Sequence, residues 1–458
     1  MELESLQGRR VHFLGIGGIG VSALARLVMA RGIAVSGSDV RPSSITEALA
    51  REGAAVVIGH RAENLAGVDV VVHSTAIPED NPELAAARAR GLPVLHRSEL
   101  LGALVEAATT VGVTGTNGKG TVASMITWVL EVAGFDPSFY IGAHCLNLGT
   151  NARAASSRWL VAELDESDGS LVNTRPRFAV LNNLEMDHLN YYRDFDHVLE
   201  ILGTFFRQLP EGAVGFFNAD CDGARLVARA APVRRVFFGE AEDADVRLTA
   251  LSLEGDGSRF TVALPCFGAS RFSLAVPGRY NVENALAAIA VCRTLGVPVD
   301  ALREGLATYR GLANRYTVLQ AGGCRVIKDY ISHPTGIRKV LATATFGAAG
   351  RVRAVFKPYR YTMINYHAEN YRDAFEIADE VIITEMWEAD EEPIPGVSTP
   401  WLAEVVRAGG QAVVYVPEMD GILPYLQGTL TPEETVIFFG GDDLFALADE
   451  LARRLGIS

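Results

Sequence analysis

Short apolar segments rich in β-branched residues alternate along this chain with longer stretches in which apolar residues recur at helical spacing. Over the first hundred residues the strand-like segments, starting at Val11, are VHFLGIG, AVSGSD, VDVVVHST and PVLHRS. This alternation is typical of βαβ units, in which crossover helices cover a parallel sheet. The pattern predicts a small α/β domain over residues 1–102.

Two further series follow, one from Thr109 and one after the segment YRGLANRYT. The first contains TTVGVTGT, WLVAELDES, FAVLNNLEMDH, GAVGFFN and VRRVFFG, and then VRLTALSLEGDGSRFTVALP, whose alternation predicts an antiparallel addition. The second contains RVIKDYI, RVRAVFKP, EVIITEM, AVVYVP and TVIFFGG. We therefore predict a central domain over 103–312 and a C-terminal α/β domain over 313–458.

The composition excludes several classes of protein. A formal net charge of −14 opposes non-specific binding to nucleic acid or to an anionic membrane. No signal peptide and no apolar run of transmembrane length is apparent, so a cytoplasmic protein without membrane insertion is expected. The cysteines are odd in number and lack CxxC spacing, which argues against a disulfide framework or a structural zinc site. They are Cys145, Cys221, Cys266, Cys292 and Cys324.

A first glycine-rich loop, GIGGIG, follows the first strand and precedes the helical stretch VSALARLVMARG. Gly15, Gly17 and Gly20 have G-x-G-x-x-G spacing, and Asp39 ends the next strand. Glycines there let the backbone approach a diphosphate at a helix N-terminus, while the acidic residue bonds a ribose hydroxyl. Taken alone, the loop predicts a nicotinamide-dependent oxidoreductase, or a tight turn without a ligand.

A second glycine-rich loop, TGTNGKGT, runs from an apolar strand into the helical stretch VASMITWVLEVAG. Such a loop directs backbone N–H groups and Lys119 at nucleotide phosphates. Gly120 stands where a Ser or Thr usually reaches magnesium, so Thr121 is the candidate substitute. Phosphate binding is the favoured interpretation, and a ligand-free turn is the alternative.

Two acidic segments, AELDESDGS and NNLEMDHL, end apolar strands of the same region. Open α/β sheets bind their ligands at this edge, so Glu163 and His188 are candidates for a divalent-metal site. The alternative is a structural role for His188 and a solvated turn for the remaining acidic residues. Those residues are Asp165, Glu166 and Asp168.

Taken together, these segments resemble the Mur ligase family. GIGGIGVSALA, VSGSDVRPSS, HSTAIPEDNPE, RSELL, TGTNGKGT, AELDESDGS, NNLEMDHL, PGRYNVENALAAIAV, KDYISHPTGI and FKPYRYT carry the resemblance over essentially the whole chain. It implies an N-terminal Rossmann-like UDP-binding domain, a central P-loop-type ATPase domain and a C-terminal Rossmann-like domain. The implied enzyme is an ATP-dependent, ADP-forming ligase of peptidoglycan precursor synthesis that acts through an acyl phosphate.

Within this family the chain most resembles the members that join L-alanine to UDP-N-acetylmuramate, and next those that recycle murein tripeptide. The implied cofactors are ATP and Mg²⁺, the partners are a UDP-sugar acid and an amino acid or peptide, and the chain is expected to be a monomer or homodimer. A ligase for another amino acid or a peptide stays an alternative. So does a catalytically impaired relative that only binds nucleotide sugar.

The resemblance also implies the roles of individual residues. Lys119, Glu163 and His188 would be catalytic, and Thr121, Glu163 and His188 would surround magnesium. ATP would contact Gly115, Thr116, Asn117, Gly118, Lys119, Gly120, Thr121, Asn281, Asn284, Arg315 and Asp329. The UDP-sugar would contact Gly15, Gly17, Gly18, Gly20, Ser38, Asp39 and Ser74. The amino substrate would contact His333, Arg360 and Tyr361.

Several positions depart from the family pattern. Gly120 stands for Thr, Tyr280 for His, Lys328 for Asp and Ser332 for the first of two His residues, and YRYTMINYH lacks an Arg after its Tyr-Thr. Gly120 is shared with the related folylpolyglutamate synthases, which lack a first domain of this kind. The departures in the third domain bear on which amine is ligated.

Overall fold

The structure is a computed structural model, and it describes residues 3–265, 268–389 and 391–456. The described residues form three β-sheets in chain order, each covered by helices. This confirms the predicted succession of α/β units. Among the described residues, no helix combines the length and apolarity needed to cross a membrane.

The first sheet has five strands, all parallel, in the order β3-β2-β1-β4-β5. Its strands are β1 (Arg10–Leu14), β2 (Ala34–Asp39), β3 (Ala55–Ile58), β4 (Val70–His73) and β5 (Val94–His96). Its helices are α1 (Ile19–Met29), α2 (Ser44–Glu52), α3 (Pro82–Ala89) and α4 (Arg97–Glu106). The switch point between β1 and β4 places the first glycine loop at the carboxyl edge of the sheet.

The second sheet has ten strands, in the order β15-β14-β13-β12-β11-β10-β6-β9-β7-β8. They are β6 (Thr109–Thr114), β7 (Ser138–Cys145), β8 (Thr150–Arg153), β9 (Trp159–Glu163), β10 (Phe178–Leu181), β11 (Val214–Asn218), β12 (Arg234–Gly239), β13 (Val246–Leu253), β14 (Ser258–Leu264) and β15 (Gly268–Leu274). The helices are α5 (Lys119–Val132), α6 (Phe195–Arg207), α7 (Asp222–Ala230), α8 (Arg279–Thr294) and α9 (Val299–Ala307). Strands β13 to β15 pair antiparallel, as the alternating segment predicted.

Helix α4 connects the first two sheets. It follows β5 directly, yet Asn173 of the central region donates its amide to Ser98 at 2.8 Å. A Cβ at Gly102 would lie only 2.2 Å from the Asn173 carbonyl oxygen, so the helix backbone packs tightly against that region. The predicted boundary after residue 102 falls inside this helix, and the domain limits stay predictions.

The third sheet has six strands, in the order β16-β17-β21-β18-β19-β20, with only the β16–β17 pair antiparallel among those described. The strands are β16 (Thr317–Ala321), β17 (Cys324–Asp329), β18 (Val352–Phe356), β19 (Glu380–Ile383), β20 (Val413–Tyr415) and β21 (Thr435–Phe439). The helices are α10 (Pro334–Thr345), α11 (Tyr361–Tyr366), α12 (Ala368–Ala374), α13 (Thr399–Ala408), α14 (Ile422–Thr429) and α15 (Asp442–Arg454).

The linker into the third sheet contains two non-glycine residues with left-handed backbone, Asn314 at φ 58° and Tyr316 at φ 46°. Asparagine tolerates this region, but a tyrosine there is strained. Asp329 of β17 accepts the Tyr316 N–H at 2.9 Å, and Thr317 accepts the Asn314 N–H at 3.1 Å. These contacts fix how the third sheet follows the central one.

The described cysteines are free thiols, and Cys266 lies outside the described residues. The free thiols are Cys145, Cys221, Cys292 and Cys324.

Candidate active site

The first glycine loop is held in place by Asp39 at the end of β2. The Gly17 N–H donates to Asp39 Oδ2 at 2.9 Å, and a Cβ on Gly17 would lie 2.8 Å from that oxygen. Gly15 has φ 68°, and Gly18 is the N-cap of α1 with no side chain bonded to the free N–H groups. The loop therefore presents backbone N–H groups at a helix N-terminus, the arrangement that receives phosphates.

The two serines predicted to lie near the sugar nucleotide occupy different depths. Ser38 is fully buried, and its hydroxyl donates to Glu83 at 2.5 Å, so it supports the loop from beneath. Ser74 follows β4 and its carbonyl accepts the Ile77 N–H; the Ile77 side chain lies 3.2 Å from a Cβ at Gly15. Of the two, only Ser74 lies beside the glycine loop. The contacts of both serines with the ligand stay predictions.

Glu83 is the centre of a buried polar network that the sequence did not reveal. His12 Nε2 lies 3.2 Å away, and Asn64 and the Arg61 N–H also bond this carboxylate. Burial opposes its charge, but the hydrogen bonds from His12, Ser38 and Asn64 outweigh burial and hold the pKa of Glu83 at about 2. A charged, fully paired carboxylate thus fixes β1, β2 and α3 below the loop.

The second glycine loop joins β6 to α5, and its shape depends on glycine at two points. Gly115 has φ 128° and Gly118 has φ 81°. A Cβ on Gly118 would lie 2.5 Å from Asn284 Oδ1 and 2.9 Å from Asn182 Nδ2. Both the backbone conformation and the available space therefore require glycine there.

Asn182 and Asn183, which directly follow β10, shape this loop and were missed in the sequence analysis. The Asn183 side chain accepts the Asn117 N–H and donates to the Asn117 carbonyl, both at 2.8 Å. Asn182 donates to that carbonyl at 3.0 Å and to Asn284 at 2.8 Å. The sequence signal that could have identified them is a pair of Asn residues at the end of β10, the strand that pairs with β6, which precedes the loop.

Lys119 points into a cluster of carboxylates. Its Nζ lies 2.9 Å from both carboxylate oxygens of Glu166. Burial favours neutral lysine, but Glu166, Asp165 and Glu163 outweigh it, and the pKa of Lys119 lies above its usual value. Lys119 is therefore charged at neutral pH and paired internally, where a phosphate would offer a competing anion.

Glu166 is the shared partner of Lys119, predicted to bind phosphate, and His188, predicted to lie at the metal site. It is buried rather than part of a solvated turn, which corrects that alternative for this residue. His188 Nε2 lies 3.4 Å from its Oε1, and His188 itself has a left-handed φ of 53°. Burial lowers the pKa of His188, yet Glu166 and Asp187 raise it above the ordinary value.

Glu163 ends β9 beside the loop. Its Oε2 accepts the Gly142 N–H at 2.6 Å and would lie 3.0 Å from a Cβ at Gly120. Burial raises its pKa, which Lys119 partly offsets, so a further cation would favour the charged form. Absence of a side chain at Gly120 thus lets this carboxylate approach the loop.

Within the three described stretches, no group of three or more His, Cys, Asp or Glu side chains is arranged to hold a metal ion by itself. Glu163, Thr121 and His188 nevertheless line one cavity with the loop. Magnesium at nucleotide sites takes one or two protein oxygens and completes its shell with phosphates and water. The Glu163 carboxylate and Thr121 hydroxyl are compatible with that mode of binding.

The cavity, of about 510 Å³, lies between the central and third sheets. The predicted residues that line it come from both sides. They are Thr116, Asn117, Gly118, Lys119, Gly120, Thr121, Glu163, His188, Asn281, Asn284, Arg315, Asp329 and His333.

Two of the three residues predicted to contact the amino substrate, Arg360 and Tyr361, are not among the residues that line this cavity, and their contact with the substrate stays a prediction. Arg360 lies 3.4 Å from Glu391, and the Tyr361 hydroxyl donates to Glu388 at 2.6 Å. Both are drawn toward the segment after β19. Acidic residues about thirty positions later in the chain therefore pair with both side chains.

The positions that depart from the family pattern cluster around the cavity, apart from Lys328. Gly120, Tyr280 and Ser332 line it, as does Met363, which follows the Tyr-Thr of YRYTMINYH. Lys328 instead pairs with Asp449 at 2.6 Å. The changes therefore concentrate where substrates would meet.

Two histidines of the third domain close the cavity against the segment after β10. His333 Nδ1 lies 3.3 Å from Glu185, and His367 Nε2 lies 3.0 Å from the Met186 carbonyl oxygen. The two rings meet edge to face at 4.5 Å between centroids. His188 and His333 thus lie on opposite sides of one interdomain contact.

Asp329 gives the site a measurable pH dependence. Burial raises its pKa to about 6, partly offset by Arg315, against an ordinary value of 3.8. Since the folded chain holds this proton and the unfolded chain releases it, the contribution of Asp329 to stability should fall by roughly 2 kcal/mol as pH rises from 4 to 6. Thermal melts across this range should show that the wild type loses stability relative to Asp329→Asn as the pH rises, because carboxylates with a lowered pKa such as Glu83 have the opposite dependence in both proteins. Equal slopes in both proteins would contradict it.

Three family models together match most of the chain. The Mur ligase family catalytic domain matches residues 10–109, the Mur ligase middle domain 113–292, and the Mur ligase glutamate ligase domain 314–441. A UDP-N-acetylmuramate–L-alanine ligase of Arthrobacter is 44% identical over 90% of this chain and 88% of its own length. The enzyme of that name from Trichlorobacter lovleyi is 37% identical over 97% and 99%.

Among solved structures, UDP-N-acetylmuramate-alanine ligase from Thermotoga maritima has a TM-score of 0.82 at 25% identity, covering 97% of this chain and 99% of its own. A murein peptide ligase from Psychrobacter arcticus has a TM-score of 0.73 at 23% identity, covering 98% and 99%. The second likeness concerns the fold alone.

Proposed function

The chain belongs to the Mur ligase family of ATP-dependent ligases, and on that premise we propose that it joins L-alanine to the carboxylate of UDP-N-acetylmuramate. The observation that carries the proposal is the position of Lys119, at the floor of a cavity whose walls come from two domains. One wall offers a phosphate-binding loop, and the other offers His333 and the segment around Tyr330. Cytoplasmic ATP and the sugar nucleotide would meet there.

In the first step, the sugar carboxylate attacks the γ-phosphorus of ATP, the bond to the β-phosphate oxygen breaks, and acyl phosphate and ADP form. Lys119 exchanges its pairing with Glu166 for the transferring phosphoryl group and neutralises charge on it. A magnesium ion bound by Glu163 and Thr121, with His188 beside it, would supply Lewis-acid stabilisation of the same phosphates.

In the second step, the amine of the amino acid attacks the acyl carbon, and phosphate leaves as the amide forms. The amine must be neutral to attack, so it loses a proton before or during this step. His333, which lines the cavity on the side of the third domain, is the histidine available to take up that proton, because Glu166 and Asp187 already favour the protonated form of His188. Closure of the third domain excludes water from the hydrolysis-prone acyl phosphate.

The cavity wall also supports a second candidate for the amine. Met363 and Ser332 bring no charge to it, and Arg360 pairs with Glu391, so the carboxylate of a free amino acid finds fewer cationic partners there. A peptide amine, whose carboxylate lies further from the reacting nitrogen, has less need of them. Ligation of a peptide is therefore the alternative.

The test is product mass after incubation of the protein with ATP, magnesium and UDP-N-acetylmuramate, alongside a panel of amino acids and the murein tripeptide. We expect phosphate release that depends on L-alanine and a product heavier than the sugar nucleotide by one alanyl residue. Turnover with the tripeptide alone would favour the second candidate. Sugar-nucleotide binding without turnover by any amine would indicate a catalytically impaired relative.

A further inference from the structure

A guanidinium lies between the two glycine loops and has no role in the function described so far. Arg97 is the first residue of α4, and its Nη2 lies 2.8 Å from Asp165 Oδ2, on the central domain. The next residue, Glu166, pairs with Lys119. Two adjacent carboxylates therefore connect Arg97, beside the first loop, to Lys119 in the second.

Arg97 also lies close to the first loop itself. A Cβ on Gly20 would be 3.7 Å from Arg97 Nη1 and 2.9 Å from the Tyr140 hydroxyl oxygen. Gly20 belongs to the first turn of α1, where the free N–H groups carry positive partial charge. The guanidinium, the hydroxyl and the helix N-terminus thus converge at one place.

The first loop has no cation of its own. No Lys or Arg lies between Gly15 and Ala25, and the first basic residue of α1, Arg26, pairs with Glu52 at 2.8 Å and bonds Asn151. Backbone N–H groups at a helix N-terminus receive a diphosphate, and a nearby guanidinium would add charge-assisted hydrogen bonds to them.

Arg97 can supply such donors while it keeps its carboxylate partners, Asp165 at 2.8 Å and Asp168 at 3.9 Å. A guanidinium carries five N–H groups in a planar fork, and Asp165 uses one nitrogen. Its side chain is 17% exposed, which leaves it accessible from the loop but shielded from bulk solvent. The neighbouring Tyr140 is buried, and burial raises its pKa to about 12 although Arg97 lowers it, so the hydroxyl is a neutral donor.

We propose that Arg97 is a positioning residue that binds the diphosphate of the sugar nucleotide, with the Tyr140 hydroxyl as a second donor and Asp165 as its tether. This rests on the proposed function for the identity of the ligand. The diphosphate site is then built by the first two domains together. Through Asp165 and the adjacent Glu166, this site is connected to Lys119.

The experiment is equilibrium binding, which needs no turnover, with UDP, UDP-N-acetylglucosamine, UDP-N-acetylmuramate and ATP as probes. Arg97→Gln should weaken binding of all three uridine ligands by a similar factor, about 10- to 100-fold, and leave ATP affinity unchanged. Arg97→Lys should fall between, since a point charge replaces the fork. Tyr140→Phe, which keeps the buried ring, should weaken the uridine ligands by a smaller factor.

Arg225→Gln is the matched control, since Arg225 likewise pairs with an aspartate, Asp243 at 2.6 Å, and belongs to α7 rather than to either glycine loop. It should bind every ligand as the wild type does. Loss of affinity for UDP-N-acetylmuramate alone in Arg97→Gln would place Arg97 at the carboxylate and overturn the diphosphate assignment. Unchanged uridine-ligand affinity with a lowered melting temperature would make it a structural ion pair and overturn the proposal.

These outcomes separate the two levels of inference. A wild-type protein that binds none of the uridine ligands overturns the proposed function, and this proposal with it. A wild-type protein that binds them while Arg97→Gln and Tyr140→Phe bind equally well overturns only the role of Arg97.

Discussion

Lys119→Met is expected to lower the amine-dependent release of phosphate from ATP at least about a thousandfold. Lys119 is the only lysine in the loop. Its ammonium must stay in contact with the phosphoryl group while this group is transferred from ATP to the sugar carboxylate. Methionine fills the same volume without charge. The measurement is steady-state phosphate release at saturating substrates, compared with single-turnover formation of acyl phosphate.

The variant leaves Glu166 without its main partner, so folding must be checked separately. Glu166 also faces His188 at 3.4 Å, which should retain part of the pairing. Unchanged affinity for UDP-N-acetylglucosamine would show that the protein is folded. Lys328→Met, which removes a lysine paired with Asp449 outside the cavity, is the matched control and should keep wild-type turnover. A Lys119→Met rate within tenfold of wild type would contradict a role in phosphoryl transfer.

Glu163→Gln is expected to lower turnover by about 100- to 1000-fold and to raise the magnesium concentration needed for half-maximal activity. The amide keeps an oxygen that accepts the Gly142 N–H, so the strand end should stay in place while the negative charge is lost. Magnesium titrations at fixed ATP measure both effects. The substitution keeps the shape of the side chain but removes its negative charge. Excess magnesium can fill the weakened site but cannot replace that charge, so it should restore only part of the rate.

Glu131→Gln provides the comparison for this substitution. Glu131 pairs with Arg153 at 2.5 Å on the same domain, remote from the cavity lining. We expect its magnesium dependence to match that of the wild type. A Glu163→Gln enzyme with an unaltered magnesium titration would remove this carboxylate from the proposed metal site.

Most of the fold could be predicted because strands buried on both faces leave continuous apolar runs. Strands β6, β10 and β21 are of this kind. The sequence analysis did not predict β3, β7, β8 and β16: β8 has the polar sequence TNAR, whereas β3 (AVVI) and β7 (SFYIGAHC) carry apolar runs at or next to the edge of a sheet. Their position depends on pairing with a neighbour, which local periodicity does not report.

The candidate site could be predicted where a motif lies within one segment. The loop around Lys119 follows β6, and Glu163 ends the neighbouring strand β9, so both lie at the same edge of the sheet, as predicted from the strand ends. Asn182, Asn183 and Glu166 were missed as participants because their roles depend on contacts across strands that are distant in sequence. The pairing of Arg360 with Glu391, which the sequence analysis did not predict, depends on a contact of the same kind.

The kinked connection between the second and third sheets ties one cavity residue to the motion of a whole domain. Arg315 lies between the left-handed residues Asn314 and Tyr316, and its guanidinium donates to the Tyr330 carbonyl across the elbow. A swing of the last domain about this elbow would withdraw that guanidinium at the same moment as it uncovers the cavity. Opening of the cavity and withdrawal of the Arg315 charge from the nucleotide would then occur together, so ADP would be released as the third domain opens.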